Sequence, residues 1–219
     1  DEAKQTLLPL AFAKRGSLTV WIDPQARRLV VDTSSQARAD EVISLLVQVL
    51  DGFAVRELQT ATAPQAAMSH WLASQEPPPG FSIDRECELK AVDASKAAIR
   101  YAHHALDIEE IRQHIAEGKL PVRLAMTWDE RVSFVLTDSM QIRKIVFQEG
   151  VFEKTSQEKE DGFDTDAVIA TGEIGRLLPD LLEALGGEVA LGAAVDAPAQ
   201  DAAPARAPAS TPAEEDAPF

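Results

Sequence analysis

Residues 107–147 read DIEEIRQHIAEGKLPVRLAMTWDERVSFVLTDSMQIRKIVF, and the change of period inside this stretch decides the fold. Asp107 before Ile108, with Glu110 three residues on, has the spacing of a capping box with Asp in the usual Ser or Thr place. Ile108, Ile111 and Ile115 then repeat at helical spacing, and Gly118 follows as a residue that tolerates a left-handed conformation. From Lys119 the period becomes two. Val122, Leu124 and Met126 alternate with Arg123, Ala125 and Thr127, and Val132, Phe134 and Leu136 alternate with Arg131, Ser133 and Thr137. A three-residue loop of Trp128, Asp129 and Glu130 pairs Met126 with Val132 and Leu124 with Phe134, which keeps one face apolar. A two-residue turn does not. This register puts Arg123 and Arg131 together on the polar face. A third strand over residues 141–147 adds Arg143 and Lys144, with a bulge expected between Ile142 and Ile145 because the alternation breaks there.

Working outward, residues 17–22 and 29–32 read as strands joined through Asp23-Pro24. Residues 36–50 read as an amphipathic helix with Val42, Leu45, Leu46, Val49 and Leu50 on one stripe and Gly52 as its stop. A short strand is expected at 54–58, a helix carrying Trp71 at 64–74, and strands at 86–92 and 97–103 after the Pro77-Pro78-Pro79-Gly80 breaker. A final helix spans 164–185, with Leu177, Leu178, Leu181, Leu182 and Leu185 among its apolar positions and Pro179 inside it. Residues 1–13 read as the end of a helix. Since the chain starts at Asp1 rather than Met, a fragment of a longer protein is expected. The expected organisation is a β-β-α unit at 1–53 entered by that helix and a small mixed α/β insertion at 54–106. A helix, an antiparallel sheet and a C-terminal helix follow at 107–187, then a disordered Ala, Pro and acidic tail at 188–219. Val20-Trp21-Ile22-Asp23 and Thr127-Trp128-Asp129 echo one another, either as two related units or as two hairpins with common turn residues. The fold class is α+β, mostly antiparallel sheets with packed helices.

The 219 residues carry 21 Lys and Arg against 36 Asp and Glu, a net charge of −15. Such a balance speaks against nucleic acid as a partner unless a local basic surface exists. A sheet with one buried face and one face bearing Arg123, Arg131, Arg143 and Lys144 supplies a candidate, although the same pattern also fits an ordinary solvated face. Trp21, Trp71 and Trp128 lie in apolar contexts and read as core. Tyr101 beside Arg100 is the best candidate for a base contact. No apolar run is long enough to cross a bilayer, so no membrane partner is expected. Cys87 is the single cysteine, which points to a reducing cytoplasm and leaves no cysteine metal site. The adjacent His103 and His104 would point to opposite faces of a strand, so no metal is expected there. Without a phosphate-binding glycine loop or a nucleophile elbow, no cofactor and no enzymatic activity are expected.

Several segments together resemble the recombination-associated RdgC family of bacteria. They are Leu7-Leu8-Pro9-Leu10-Ala11-Phe12, Val20-Trp21-Ile22-Asp23, and Glu109-Glu110-Ile111 with His114-Ile115-Ala116-Glu117-Gly118-Lys119. Leu124-Ala125 with Trp128, Thr171-Gly172-Glu173 and Leu182-Glu183-Ala184-Leu185-Gly186-Gly187-Glu188 complete the set. The resemblance covers residues 7–188 and implies an unusual α+β fold that forms a closed ring dimer around DNA. It further implies sequence-independent binding of double- and single-stranded DNA, in the nucleoid, and restraint of RecA-dependent recombination and fork repair. RecA itself is then a further expected partner. By the same resemblance Phe12 matches an apolar dimer-interface residue, and Arg100 and Lys119 match basic positions, Lys119 near the hole. Leu10, Ala102 and His103 depart from the family's basic residues, which would lower DNA affinity or make it depend on histidine protonation. An interaction module acting directly on the recombinase, with DNA contact incidental, is the alternative.

Overall fold

In a computed structural model of the chain, residues 16–93, 97–152 and 162–189 are described. The expected helix end at 1–13, Phe12 and the tail past residue 189 lie outside them. Strands β1 (Val20–Asp23) and β2 (Arg28–Val31) form a two-stranded antiparallel hairpin. Its turn is built by Asp23, whose Oδ1 accepts from the amides of Gln25 and Ala26 at 3.0 Å each. This is the local bonding that makes Asp a turn residue. Helix α1 (Gln36–Val49) follows and ends before Gly52, which takes a φ of +72°. Its apolar stripe forms as expected, yet no residue of the helix is buried: Leu45 is 57% and Val49 63% exposed.

Helix α2 (Pro64–Ser74) begins with Pro64 in its first turn, where a missing amide costs nothing. Strands β3 (Phe81–Ala91) and β4 (Ala98–Ala102), helix α3 (Glu109–Ala116), strands β5 (Lys119–Trp128), β6 (Val132–Thr137) and β7 (Ile142–Phe147), and helix α4 (Gly162–Ala184) complete the order. The five long strands make one antiparallel sheet in the order β4-β3-β5-β6-β7. No helix among the described residues is long and apolar enough to cross a membrane. The fold is α+β, as expected.

One face of this sheet packs on α2, α3 and α4. Leu124, Met126, Trp128, Val132, Phe134 and Leu136 from β5 and β6 meet Met68, Trp71 and Leu72 of α2, Ile111 of α3, and Leu177 and Leu181 of α4. Each large apolar side chain so buried contributes roughly 1.5–3 kcal/mol. Trp71 and Trp128 are core residues, as their contexts indicate. Helix α4 runs through Pro179 without interruption and ends in a Schellman motif. The Gly187 amide donates to the Leu182 carbonyl at 2.8 Å and the Gly186 amide to that of Glu183 at 2.9 Å, with both glycines at positive φ.

Four expectations are corrected. Residues 54–58 form no strand and pair with no other strand; the nearest pairing is a single bridge from Thr60 to Glu188. Strand β3 starts at Phe81, five residues earlier than expected, directly after Gly80 at φ +79°. The capping box does not form: Ile108 is the N-cap, with no side-chain cap bond. Burial of Leu106 and the packing of Ile108 on the core set the helix entry, and Glu109 and Glu110 act on the helix dipole instead. The β5–β6 loop has three residues as expected, but they are Asp129, Glu130 and Arg131, so that Trp128 pairs with Val132 and Met126 with Phe134. The shift by two keeps β6 and the part of β5 from Leu124 on their expected faces; Val122, expected beside Leu124, sits at a bulge and lines the opposite face instead.

Candidate nucleic-acid interface

Opposite the helices, the second face of the sheet gathers charge from four strands. Strand β3 alternates Cys87 and Leu89, which are buried in the core, with Glu86, Glu88 and Lys90 on the other side. Arg100 of β4 donates to Glu86 Oε1 at 3.0 Å. Lys144 of β7 donates to both oxygens of the same carboxylate at 2.8 Å, although β5 and β6 lie between the two strands. The sheet therefore curls toward this face enough for a lysine stem to span it. One step along β3, Glu88 meets Lys90 at 3.2 Å and Arg123 of β5 at 3.5 Å. Arg143 of β7 is held by neutral groups, donating to Gln141 Oε1 at 2.9 Å and to the Ser34 carbonyl at 3.2 Å. Behind these charges Asp84, Thr127, Ser133 and Gln148 form a continuous hydrogen-bonded row. Ala125, Val135 and Thr137 are buried beneath.

Lys144 is positioned by the expected bulge. It takes a φ of +51°, and the β6–β7 register shifts between Ser133 and Val135. The extra residue turns the β7 edge so that Arg143 and Lys144 both address this face. The Lys144 and Arg100 cations hold the Glu86 carboxyl below its ordinary value of 4.5, the lysine having the larger effect. The carboxylate thus remains charged at neutral pH. Five cations (Lys90, Arg100, Arg123, Arg143, Lys144) stand against Asp84, Glu86, Glu88 and, at the following turn, Asp138. The face is nearly neutral in a chain of net charge −15, which makes it a basic patch by contrast.

Two of the expected site residues lie elsewhere. Arg131, the extra residue of the β5–β6 loop, turns to the helix side and grips Glu173 of α4, with Nε to Oε2 at 2.8 Å and Nη2 to Oε1 at 2.5 Å. Arg131 and Arg123 therefore do not share a face, because a buried carboxylate on α4 attracts the loop arginine more strongly than a solvated sheet surface does. Arg176 also binds Glu173, and the Arg131 bond, followed by Arg176, holds that carboxyl below its ordinary range. Lys119 begins β5, where its Nζ lies 2.7 Å from Glu117 and 3.2 Å from His114 Nδ1. A bulge in β5 separates it from Arg123: Glu88 pairs with Arg123 but Leu89 with Pro121, so parity inverts and Lys119 falls on the helix side. Tyr101 likewise packs against the core beside Cys87 rather than facing outward with Arg100.

The alternation Glu86, Glu88, Lys90 was the overlooked signal. It places three charges on one strand face at period two, opposite Cys87 and Leu89. Among the described residues no group of three or more His, Cys, Asp or Glu side chains converges as metal ligands would.

A family model described as "Putative exonuclease, RdgC" matches residues 1–188. The chain is 46% identical over 195 residues to a protein of Dechloromonas aromatica (strain RCB) named recombination-associated protein RdgC; the match covers 86% of this chain and 64% of that protein. It is 44% identical over 193 residues to the protein of the same name from Janthinobacterium sp. (strain Marseille), again covering 86% and 64%. The corresponding protein of Herminiimonas arsenicoxydans is 42% identical over 193 residues, with 87% and 64% covered. The chain thus spans a little under two thirds of the length of these relatives. With a match along the whole of residues 1–188, which hold both sheets and the four helices of the described residues, the chain belongs to the RdgC family.

Proposed function

We propose that this chain contributes to sequence-independent binding of double- and single-stranded DNA by a ring-shaped dimer that restrains RecA-dependent recombination. The observation that carries this reading is the meeting of Arg100, Arg123, Arg143 and Lys144, with Lys90, on one curled sheet face. Cations spread over four strands can neutralise successive phosphates without reading bases, and that contact mode gives affinity without sequence preference. The names of the relatives, which speak of recombination, agree with it. Glu86 and Glu88 keep the arginines and lysines extended and oriented, and an incoming phosphate takes the place of the carboxylates. The action proposed is binding, not strand cleavage, and the site is nucleoid-associated in the cytoplasm. Phe12 serves the dimer contact, and Lys119 acts from the helix side, near the hole, rather than within the arginine face.

Titration of linear and covalently closed DNA with the chain, from low to moderate salt, tests this. Affinity should fall steeply with salt, with a slope of about 0.9 per phosphate neutralised, and be indifferent to sequence. An affinity that does not change with salt would refute it, and magnesium-dependent loss of linear DNA would replace it with an enzymatic role. The second reading, direct docking on the recombinase, is favoured by one observation: the apolar stripe of α1, with Leu45 and Val49 more than half exposed. Retention of RecA by this chain in the absence of DNA, abolished by Leu45→Asp, would establish it.

A further inference from the structure

Where β5, β6 and the β6–β7 turn meet β3, a cleft of about 110 Å³ opens on the arginine face. Lys90, Arg123 and Arg143 stand around it, and Thr137, Ser139 and Gln141 contribute its neutral polar lining. Val122 is its sole apolar lining residue and Asp138 its sole acidic one. The volume is several times the roughly 30 Å³ that a water molecule occupies in the liquid. We propose that this cleft is an oxyanion site that seats one phosphate group.

Three features of the surroundings argue for an anion rather than solvent alone. Arg143 is oriented by two neutral acceptors, Gln141 Oε1 and the Ser34 carbonyl, so its direction is set without a carboxylate bonded to it, Asp138 being the one acid elsewhere in the cleft lining. These bonds use two of the five N–H donors of a guanidinium and leave three. Arg123 is only loosely paired. Its 3.5 Å separation from Glu88 exceeds the 2.7–2.9 Å of a charge-assisted bond, and Lys90, at 3.2 Å, shares that carboxylate. Glu88 therefore holds two cations weakly, in a place from which a better acceptor displaces it. Finally, the turn is internally braced: Thr137 Oγ1 accepts from the Gln141 amide at 3.0 Å and lies 3.1 Å from Ser139 Oγ. The hydroxyls are thus in place before any ligand arrives, which lowers the ordering cost of binding. Lys90 was not among the residues expected from the sequence, and Arg131, which was, has no part here.

A phosphate of a nucleic-acid strand and free phosphate present the same chemistry to this cleft. The site stands independently of the DNA reading; only the strand as the source of the phosphate rests on it. Inorganic phosphate is titrated into the 15N-labelled chain at constant ionic strength, with chloride as control, reading the amides of Ser139, Gln141 and Arg143. Saturable shifts at residues 137–143, and at Lys90 and Arg123 across the cleft, are expected, weakened about tenfold by Arg143→Gln through loss of a charge-assisted contact and strengthened by Glu88→Gln. The gain in Glu88→Gln cannot come from misfolding, so it guards against a variant that merely unfolds. In parallel, Arg143→Gln should lower the salt slope for a short oligonucleotide by about 1. Phosphate shifts with an unaltered oligonucleotide slope would uphold the site, make free phosphate its ligand and remove this cleft from the DNA surface. No saturable shift at 137–143, or shifts indifferent to both substitutions, would overturn the proposal whatever the oligonucleotide does.

Discussion

Replacing Glu173 by glutamine removes the charge that ties α4 to the β5–β6 hairpin, and its effect can be worked out from the geometry. Glu173 is 3% exposed and accepts two bonds from Arg131 and one from Arg176. A hydrogen bond to a charged group contributes about 1.5–3 kcal/mol, and the amide oxygen of Gln preserves one such bond in weaker form. The stranded guanidiniums are not sealed in, since the Arg131 and Arg176 side chains are 37% and 62% exposed. The loss therefore stays below the 3–5 kcal/mol of a broken, fully buried pair, and Glu173→Gln should destabilise the fold by about 2 kcal/mol at pH 7. With a urea slope of about 2 kcal/mol per M, the unfolding midpoint drops by about 1 M, read from the fluorescence of the buried Trp71 and Trp128. The pH dependence supplies a second check. The Glu173 carboxyl is held below its ordinary 4.5 in the folded state, so its contribution is fully present above that value. It is lost as pH falls through the lowered folded value. The gap between the native chain and the variant should thus be constant near neutrality and narrow below about pH 4.5. An unchanged midpoint at pH 7, or a gap indifferent to acid, would refute the argument that this buried carboxylate stabilises as an ion.

Further outcomes follow from the same structure. Glu86→Gln releases Arg100 and Lys144 from their shared carboxylate, so DNA affinity should rise about two- to threefold at low salt and the salt slope should steepen; weaker binding would contradict the arrangement. Cys87 is fully buried, and burial pushes its thiol up to about 12, so the native chain should not react with a thiol reagent near neutrality and should react once unfolded in urea. Gly186 sits at φ +80° with Thr62 Oγ1 3.1 Å and Ala61 Cβ 3.3 Å from where a Cβ would stand. Gly186→Ala should destabilise the fold by more than the conformational penalty of about 1 kcal/mol, which is all that Ala should cost at the open Gly118; equal losses in the two variants would contradict this.

Much of this fold is legible in the sequence because its strands alternate strictly. Within β5 from Leu124 and within β6 to Leu136 the strand residues fall on the side their parity assigns, even though the pairing is offset by two, because an even shift exchanges no faces. Helices α1, α2 and α4 follow from apolar repeats bounded by Gly and Pro. The candidate site was half legible. Arg100, Arg123, Arg143 and Lys144 come together on the arginine face, while Arg131 and Lys119 do not join them. A run of alternating residues determines which side chains share a strand face, since alternation is a property of one strand and its neighbours in sequence. Where a charge at a strand end finally points was decided only by the tertiary structure. One bulged residue in β5 inverts Lys119, and Glu173, 42 residues along the chain, draws Arg131 to the helix side. Glu86 likewise meets Lys144 across 58 residues. Opposite charges select one another by distance in the folded chain, and that distance is set by curl, bulges and helix docking rather than by any local pattern.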